Sequence, residues 1–76
     1  MKKYKTFEKF SPVRIKKLKK DFNPYNTEPM DLFFRQSGQV GIILYPFYST
    51  CNDTWRVRHE NNTTALYHQD EIEVIK

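Results

Sequence analysis

The chain has 76 residues and a net charge of +4, with 16% aromatic residues and one cysteine, Cys51. That length allows one small domain with a modest core, and a single cysteine excludes an internal disulfide. The charge is divided: residues 1–20 hold nine Lys/Arg against one acid, Glu8, while residues 21–76 hold four bases and eight acids. A concentrated basic segment draws polyanions or acidic partners, whereas net charge says little about fold.

Met1-Lys2-Lys3 has the basic start of a signal peptide, but no apolar segment follows it. The longest apolar stretch, residues 40–48, is interrupted by Gly41 and Pro46 and is too short to cross a bilayer. The expectation is a cytoplasmic protein with no membrane partner. Asn52-Asp53-Thr54, Asn61-Asn62-Thr63 and Asn62-Thr63-Thr64 fit the glycosylation sequon. Without a secretory signal they read as turn chemistry.

In chain order, residues 1–11 are expected to be a basic extension and residues 12–76 the folded domain. Residues 12–18 read as a strand, because Val13, Arg14, Ile15 and Lys16 alternate. A short helix opened by Ser11-Pro12 is the competing reading. Residues 21–29, rich in Pro, Asn and Asp, read as a long irregular loop. Residues 39–45 are β-branched and apolar, entered through Ser37-Gly38 and ended by Pro46, and form a strand. Residues 54–60 alternate, with Trp55, Val57 and His59 on one face and Arg56, Arg58 and Glu60 on the other. Asn61-Asn62 supply a hairpin turn, and residues 65–68 return. A two-residue turn sets Val57 against Leu66 and Trp55 against His68 inside, and Arg56 against Tyr67 and Arg58 against Ala65 outside. A one-residue slip would reverse Leu66 and Tyr67. After a tight turn at Gln69-Asp70, Ile72, Val74 and Ile75 make a short closing strand.

This order of elements resembles a small five-stranded SH3-like barrel over residues 13–75. Gly38-x-x-Gly41-x-Ile43 is similar to the glycine core of a KOW motif, found in SH3-like ribosomal and transcription-elongation domains. Residues 65–75 are similar to the end of SH3 domains, where a strand leads through one 3₁₀ turn into the last strand. The resemblance implies a mostly β fold in which the last strand closes onto the first and hides both sheet edges. The aromatic motif that lines the proline-peptide groove of signalling SH3 domains is missing, which removes proline-rich peptides from the expected partners.

Three sets of residues are candidates for binding. The first is a phosphate-contacting track of Lys2, Lys3, Lys5, Lys9, Arg14, Lys16, Lys17, Lys19 and Lys20, with Tyr4, Phe7 and Phe10 interleaved and Arg56 and Arg58 extending it. Its plain alternative is a solubilising tail whose aromatics pack across one end of the barrel. Lysine dominance favours loose electrostatic attachment over base readout. The second set is aromatic: Tyr25, Phe47, Tyr48, Trp55 and Tyr67, a surface for a protein partner. Arg35, Arg56, Arg58 and Tyr67 are a further possible grip for phosphate or an acidic protein surface, against the plain alternative of an ordinary polar sheet face.

Cys51, His59 and His68 lack the close spacing of zinc ligands, and nothing marks a nucleophile with its orienting groups. The expectation is a non-catalytic binding protein with no metal, no cofactor and no small-molecule substrate. Its partner is expected to be nucleic acid or a ribonucleoprotein. The alternative is a protein-interaction module, such as a small phage or mobile-element protein that engages a host protein.

Overall fold

The computed structural model describes residues 6–20, 22, 27–47 and 53–75. Among these residues, five strands run β1 (Pro12–Ile15), β2 (Val40–Pro46), β3 (Thr54–His59), β4 (Thr64–His68) and β5 (Ile72–Val74). One short helix, α1 (Pro29–Phe33), precedes β2, and a 3₁₀ turn, Gln69–Glu71, joins β4 to β5. All pairings are antiparallel, in the order β4-β3-β2-β1-β5. The fold is mostly β, as expected.

Among the described residues the sheet is open, with β4 and β5 at its two edges. A flat five-stranded sheet would hold those edges roughly 19 Å apart. The four residue steps from His68 to Ile72 rise only about 8 Å in 3₁₀ geometry. The sheet therefore curls until its edges approach. Val13, Ile15, Ile43, Trp55, Val57, Ala65, Tyr67 and Ile72 fill the concave side, with Phe7, Leu18 and Phe34 packed against them.

Both glycines of the Gly38-x-x-Gly41 pair are structurally required. Gly38 sits at φ +84, where a side chain is strained. At Gly41 an added Cβ would lie 2.1 Å from the Arg58 carbonyl oxygen of the neighbouring strand.

Residues 12–15 form a strand and not a helix, but it stops at Ile15, short of residue 18. There the Lys16 N–H donates to the Glu71 carbonyl and the chain turns away, which lets Leu18 pack back on the core. Part of the basic start touches the sheet. The Phe10 N–H donates to the Ile43 carbonyl at 2.7 Å, and the Phe7 ring stands edge-on to Trp55 at 5.1 Å.

The β3–β4 register differs from the expected one by one residue. Val57 faces Ala65, Trp55 faces Tyr67, Arg56 faces Leu66, Arg58 faces Thr64 and Thr54 faces His68. The reason lies in the loop. Asn62 N–H donates to the His59 carbonyl and His59 N–H to the Thr63 carbonyl, and within the loop it is Asn62 and not Asn61 that has positive φ, +69. This is a three-residue loop, a type I turn followed by a left-handed residue. The extra residue turns Tyr67 inward and Leu66 outward. Leu66 is nevertheless fully buried, because α1 packs over β4 on that side.

α1 was not anticipated. It begins with Pro29 in its first turn, and Asp31 Oδ2 accepts the Glu28 N–H at 2.8 Å. The chain leaving α1 crosses the edge of β4. There Arg35 pairs with Glu71 through Nη1–Oε1 at 2.9 Å and Nη2–Oε2 at 2.5 Å, with side chains 9% and 0% exposed. Arg35 Nη1 also donates to the Leu66 carbonyl, while Glu71 accepts the N–H groups of His68 and Lys19. The pair thus shuts part of the outward hydrogen-bonding row of β4 and ties it to the segment that follows β1.

Candidate functional site

The alternation of β1 explains how the basic segment is displayed. Val13 and Ile15 are buried, and Arg14 between them faces solvent. Beyond the strand, Lys16, Lys17, Lys19 and Lys20 are all exposed. Lys9 is exposed too, with its ammonium 5.1 Å from the Phe10 ring centre. Lys19 Nζ lies 4.0 Å from Asp70. Among the described residues, Arg14, Lys16, Lys17 and Lys20 have no carboxylate within ion-pair distance. Lys2, Lys3 and Lys5 lie outside the described residues.

The four arginines divide into two kinds. Arg35 is stacked between the rings of Phe22, at 4.2 Å, and Tyr67, at 5.2 Å, while it holds Glu71. Arg56 Nη2 bonds Asp31 Oδ1 at 2.7 Å, tying β3 to α1. Burial alone raises the Asp31 carboxyl, but the Glu28 N–H and the Arg56 guanidinium outweigh it and hold the group below its usual range. Arg58, by contrast, is exposed on the outer face, in register with Ile42 and Thr64 and without an ion-pair partner among the described residues.

The expected outer patch of Arg56, Arg58 and Tyr67 is therefore not formed. Tyr67 is 0% exposed, on the inner face, and Arg56 is committed to Asp31. Only Arg58 of the three faces solvent unpaired, because the longer hairpin loop moved the register by one.

The aromatic candidates also distribute differently from the expectation. Trp55 is 7% exposed under Phe7, and its indole Nε1–H is buried with no acceptor among the described residues. Phe47 is half-buried, with its N–H donating to the Thr54 carbonyl. Tyr25 and Tyr48 lie outside the described residues. Among the described residues, the large apolar side chains that do face solvent are Phe10, Met30, Phe33, Tyr45 and Val74, and two of these five belong to α1. Sequence reasoning missed Met30 and Phe33 because it missed the helix that carries them.

Met30 and Phe34 wall a groove of about 490 Å³ between α1 and the tip of the β3–β4 hairpin. Arg56 and Asp31 line it as well, with Glu28, Thr63 and Thr64 around the rim.

The histidines serve the interior and the hairpin. His59 is 2% exposed, with Nε2 at 2.6 Å from the Tyr67 hydroxyl and Nδ1 at 2.9 Å from Thr63 Oγ1. Thr63 Oγ1 spends its proton on Asn61 Oδ1, so Nδ1–H donates to Thr63 and the Tyr67 hydroxyl donates to Nε2. Burial pushes the His59 pKa below 6.5, and the Thr63 contact offsets only part of that. Burial likewise raises the Tyr67 phenol above 10.0, against the Gln36 N–H and Arg35, which lower it.

His68 does not face Trp55. It sits across from Thr54, accepting the Asp70 N–H at Nδ1 and contacting Asp53 through Nε2. Among the described residues no three His, Cys, Asp or Glu side chains gather as a metal site would require, and Cys51 lies outside them. No described helix is long and apolar enough to cross a membrane.

Comparison of the chain with protein-family profiles, with curated proteins and with solved structures returned no match.

Proposed function

We propose that this protein works by binding, without catalysis, and that it attaches to nucleic acid or a ribonucleoprotein in the cytoplasm. The observation that carries the reading is the division of its cations. Arg35 and Arg56 are consumed by internal ion pairs, while Arg14, Lys16, Lys17, Lys20 and Arg58 stand exposed and unpaired among the described residues. Exposed lysines meet phosphates without demanding geometry, and released counterions drive the association. Lys2, Lys3, Lys5, Lys9 and Lys19 extend the same charge in this reading.

The curled sheet is read as an SH3-like barrel with a KOW-like glycine segment. Three features support this: the strand order, the 3₁₀ connection from β4 to β5, and the demand for glycine at positions 38 and 41. Fold alone does not set function, so the argument rests on the cations.

Binding to labelled single- and double-stranded DNA and RNA, at low and near-physiological salt, tests the proposal. The expected result is affinity that persists at physiological salt and falls steeply with added salt. Changing Lys16, Lys17, Lys19 and Lys20 to Glu should abolish it while the fold, followed by circular dichroism, is kept. Affinity that vanishes by physiological salt, or that ignores the four changes, overturns the proposal. A second reading, a phage or mobile-element module that engages a host protein, is favoured by one observation: Met30 and Phe33 are 69% and 77% exposed on a five-residue helix.

A further inference from the structure

Phe10 occupies a backbone position that favours glycine. Its N–H donates to the Ile43 carbonyl, the Ile43 N–H donates to the Ser11 carbonyl, and the Ser11 N–H closes a turn onto the Glu8 carbonyl. With φ +68 at Phe10, this is a G1 bulge at the entry to β1, whose first residue is normally glycine. A bulky residue with positive φ is an outlier, and such strain gathers at functional positions. The ring gains little from the fold in return. Phe10 is 58% exposed, with the Lys9 ammonium 5.1 Å from the ring centre.

A second exposed ring lies close by on the neighbouring strand. Tyr45 follows Ile43 on β2, past the shift in register between those two residues, and is 50% exposed. It faces Arg56 across the β2–β3 pair, with the guanidinium 5.9 Å from its ring centre. Phe10 and Tyr45 thus flank Ile43, each ring with a cation beside it.

The charges on this side of the sheet discriminate between kinds of nucleic acid. Arg14 stands in register with Glu73, Arg58 shares a shallow pocket with Glu60, and Glu8 is exposed next to Lys9. Cations and acids balance here, so the face offers little to a duplex, which is held by its phosphates. The attraction comes from Lys16, Lys17, Lys19 and Lys20, which begin where β1 ends, within roughly 20 Å of Phe10 at strand spacing. A polyanion drawn to those lysines needs a hold other than charge to stay on the sheet, and exposed rings supply one to unpaired bases.

Resting on the nucleic-acid reading above, we propose that the ligand is a single strand whose phosphates are drawn by the lysines after β1 and whose unpaired bases stack on Phe10 and Tyr45. Lys9 meets the phosphate beside the base on Phe10. Every base has a face to stack, so the contact tolerates any sequence, whereas a duplex keeps those faces for itself.

The test is fluorescence anisotropy with labelled strands of about twelve nucleotides: oligo-dT, oligo-U and a sugar-phosphate strand without bases, with a DNA hairpin duplex as comparison. The expected result is that oligo-dT or oligo-U binds at least about fivefold tighter than the baseless strand and the duplex. Phe10→Gly and Tyr45→Leu alter no charge. Each should weaken the base-bearing strands about fivefold or more and leave the baseless strand unchanged, while Tyr45→Phe should keep the wild-type affinity. Phe10→Gly should melt at or above the wild-type temperature, because glycine accepts the positive φ. A lower melt would assign the ring to packing and overturn its role.

Equal affinity for strands with and without bases overturns the stacking proposal and leaves attachment through the lysines standing. Absence of binding to all four probes overturns both. A molecular mass that rises with protein concentration, and does so less in Phe10→Gly, also overturns the proposal, because a second copy of this chain would then cover the rings.

Discussion

At Gly41 the two central strands approach too closely for even one methyl group. Gly41→Ala forces a carbonyl-to-carbon contact that backbone movement alone can relieve, so a loss of about 3 kcal/mol or more is expected. Gly38→Ala meets nothing within 4 Å and bears only the positive-φ cost, about 1 kcal/mol. Urea midpoints of the two variants should separate accordingly. The sequence showed a pair of glycines, but the two act differently: Gly38 through its positive φ and Gly41 through the approach of the Arg58 carbonyl. His59 gives a second prediction at this scale. Its pKa is lower folded than the unfolded 6.5, so the native state favours the neutral ring. Stability is full above pH 6.5, falls as pH drops through that value, and levels off below the depressed folded pKa. Thermal melts between pH 7.5 and pH 5 should show the fall, and His59→Gln should flatten it. An unchanged slope in the variant would assign the effect to another group.

The hairpin shows how far an element can be read from its residues. Asn61-Asn62 announced a turn correctly, yet two-residue and three-residue loops both use residues that tolerate positive φ. Which asparagine adopts it decides the register, and only Asn62 does. Asn62→Gly should therefore hold or slightly raise stability, while Asn62→Val should cost about 1–2 kcal/mol; the reverse order would exclude the left-handed position. The strands β2 and β3 were legible because alternation and β-branching act over six or seven residues. α1 was not, because five residues carry no helical period. Its only written signals were Pro29 and the acid at position 31. With α1 unseen, the role of Arg56 was unreadable too, since its partner Asp31 lies 25 residues away.

Over the whole molecule, the uneven charge was visible in the composition, and the separation of working from structural cations was not. All four arginines look alike in sequence. Burial selects Arg35 and Arg56 for the interior and leaves Arg14 and Arg58 outside. Arg58→Glu should therefore weaken nucleic-acid binding and lower its salt slope by about 1 with an unchanged melting temperature. Glu71→Gln should do the opposite. It removes one charge of a buried pair and is expected to cost about 3 kcal/mol, measured by urea unfolding. Chains of this size have roughly 4–11 kcal/mol in total.

The Glu71 carboxylate also has a place in time. It gathers the Lys19 backbone and the Arg35 guanidinium across separations of 52 and 36 residues, whereas the β3–β4 hairpin closes over a three-residue loop. Contacts that span so much chain form late, after local turns have brought their ends together. Loss of Glu71 should therefore appear in the unfolding rate and leave the refolding rate nearly unchanged. The pair acts as a latch that sets how long the folded state lasts, more than how quickly it is reached.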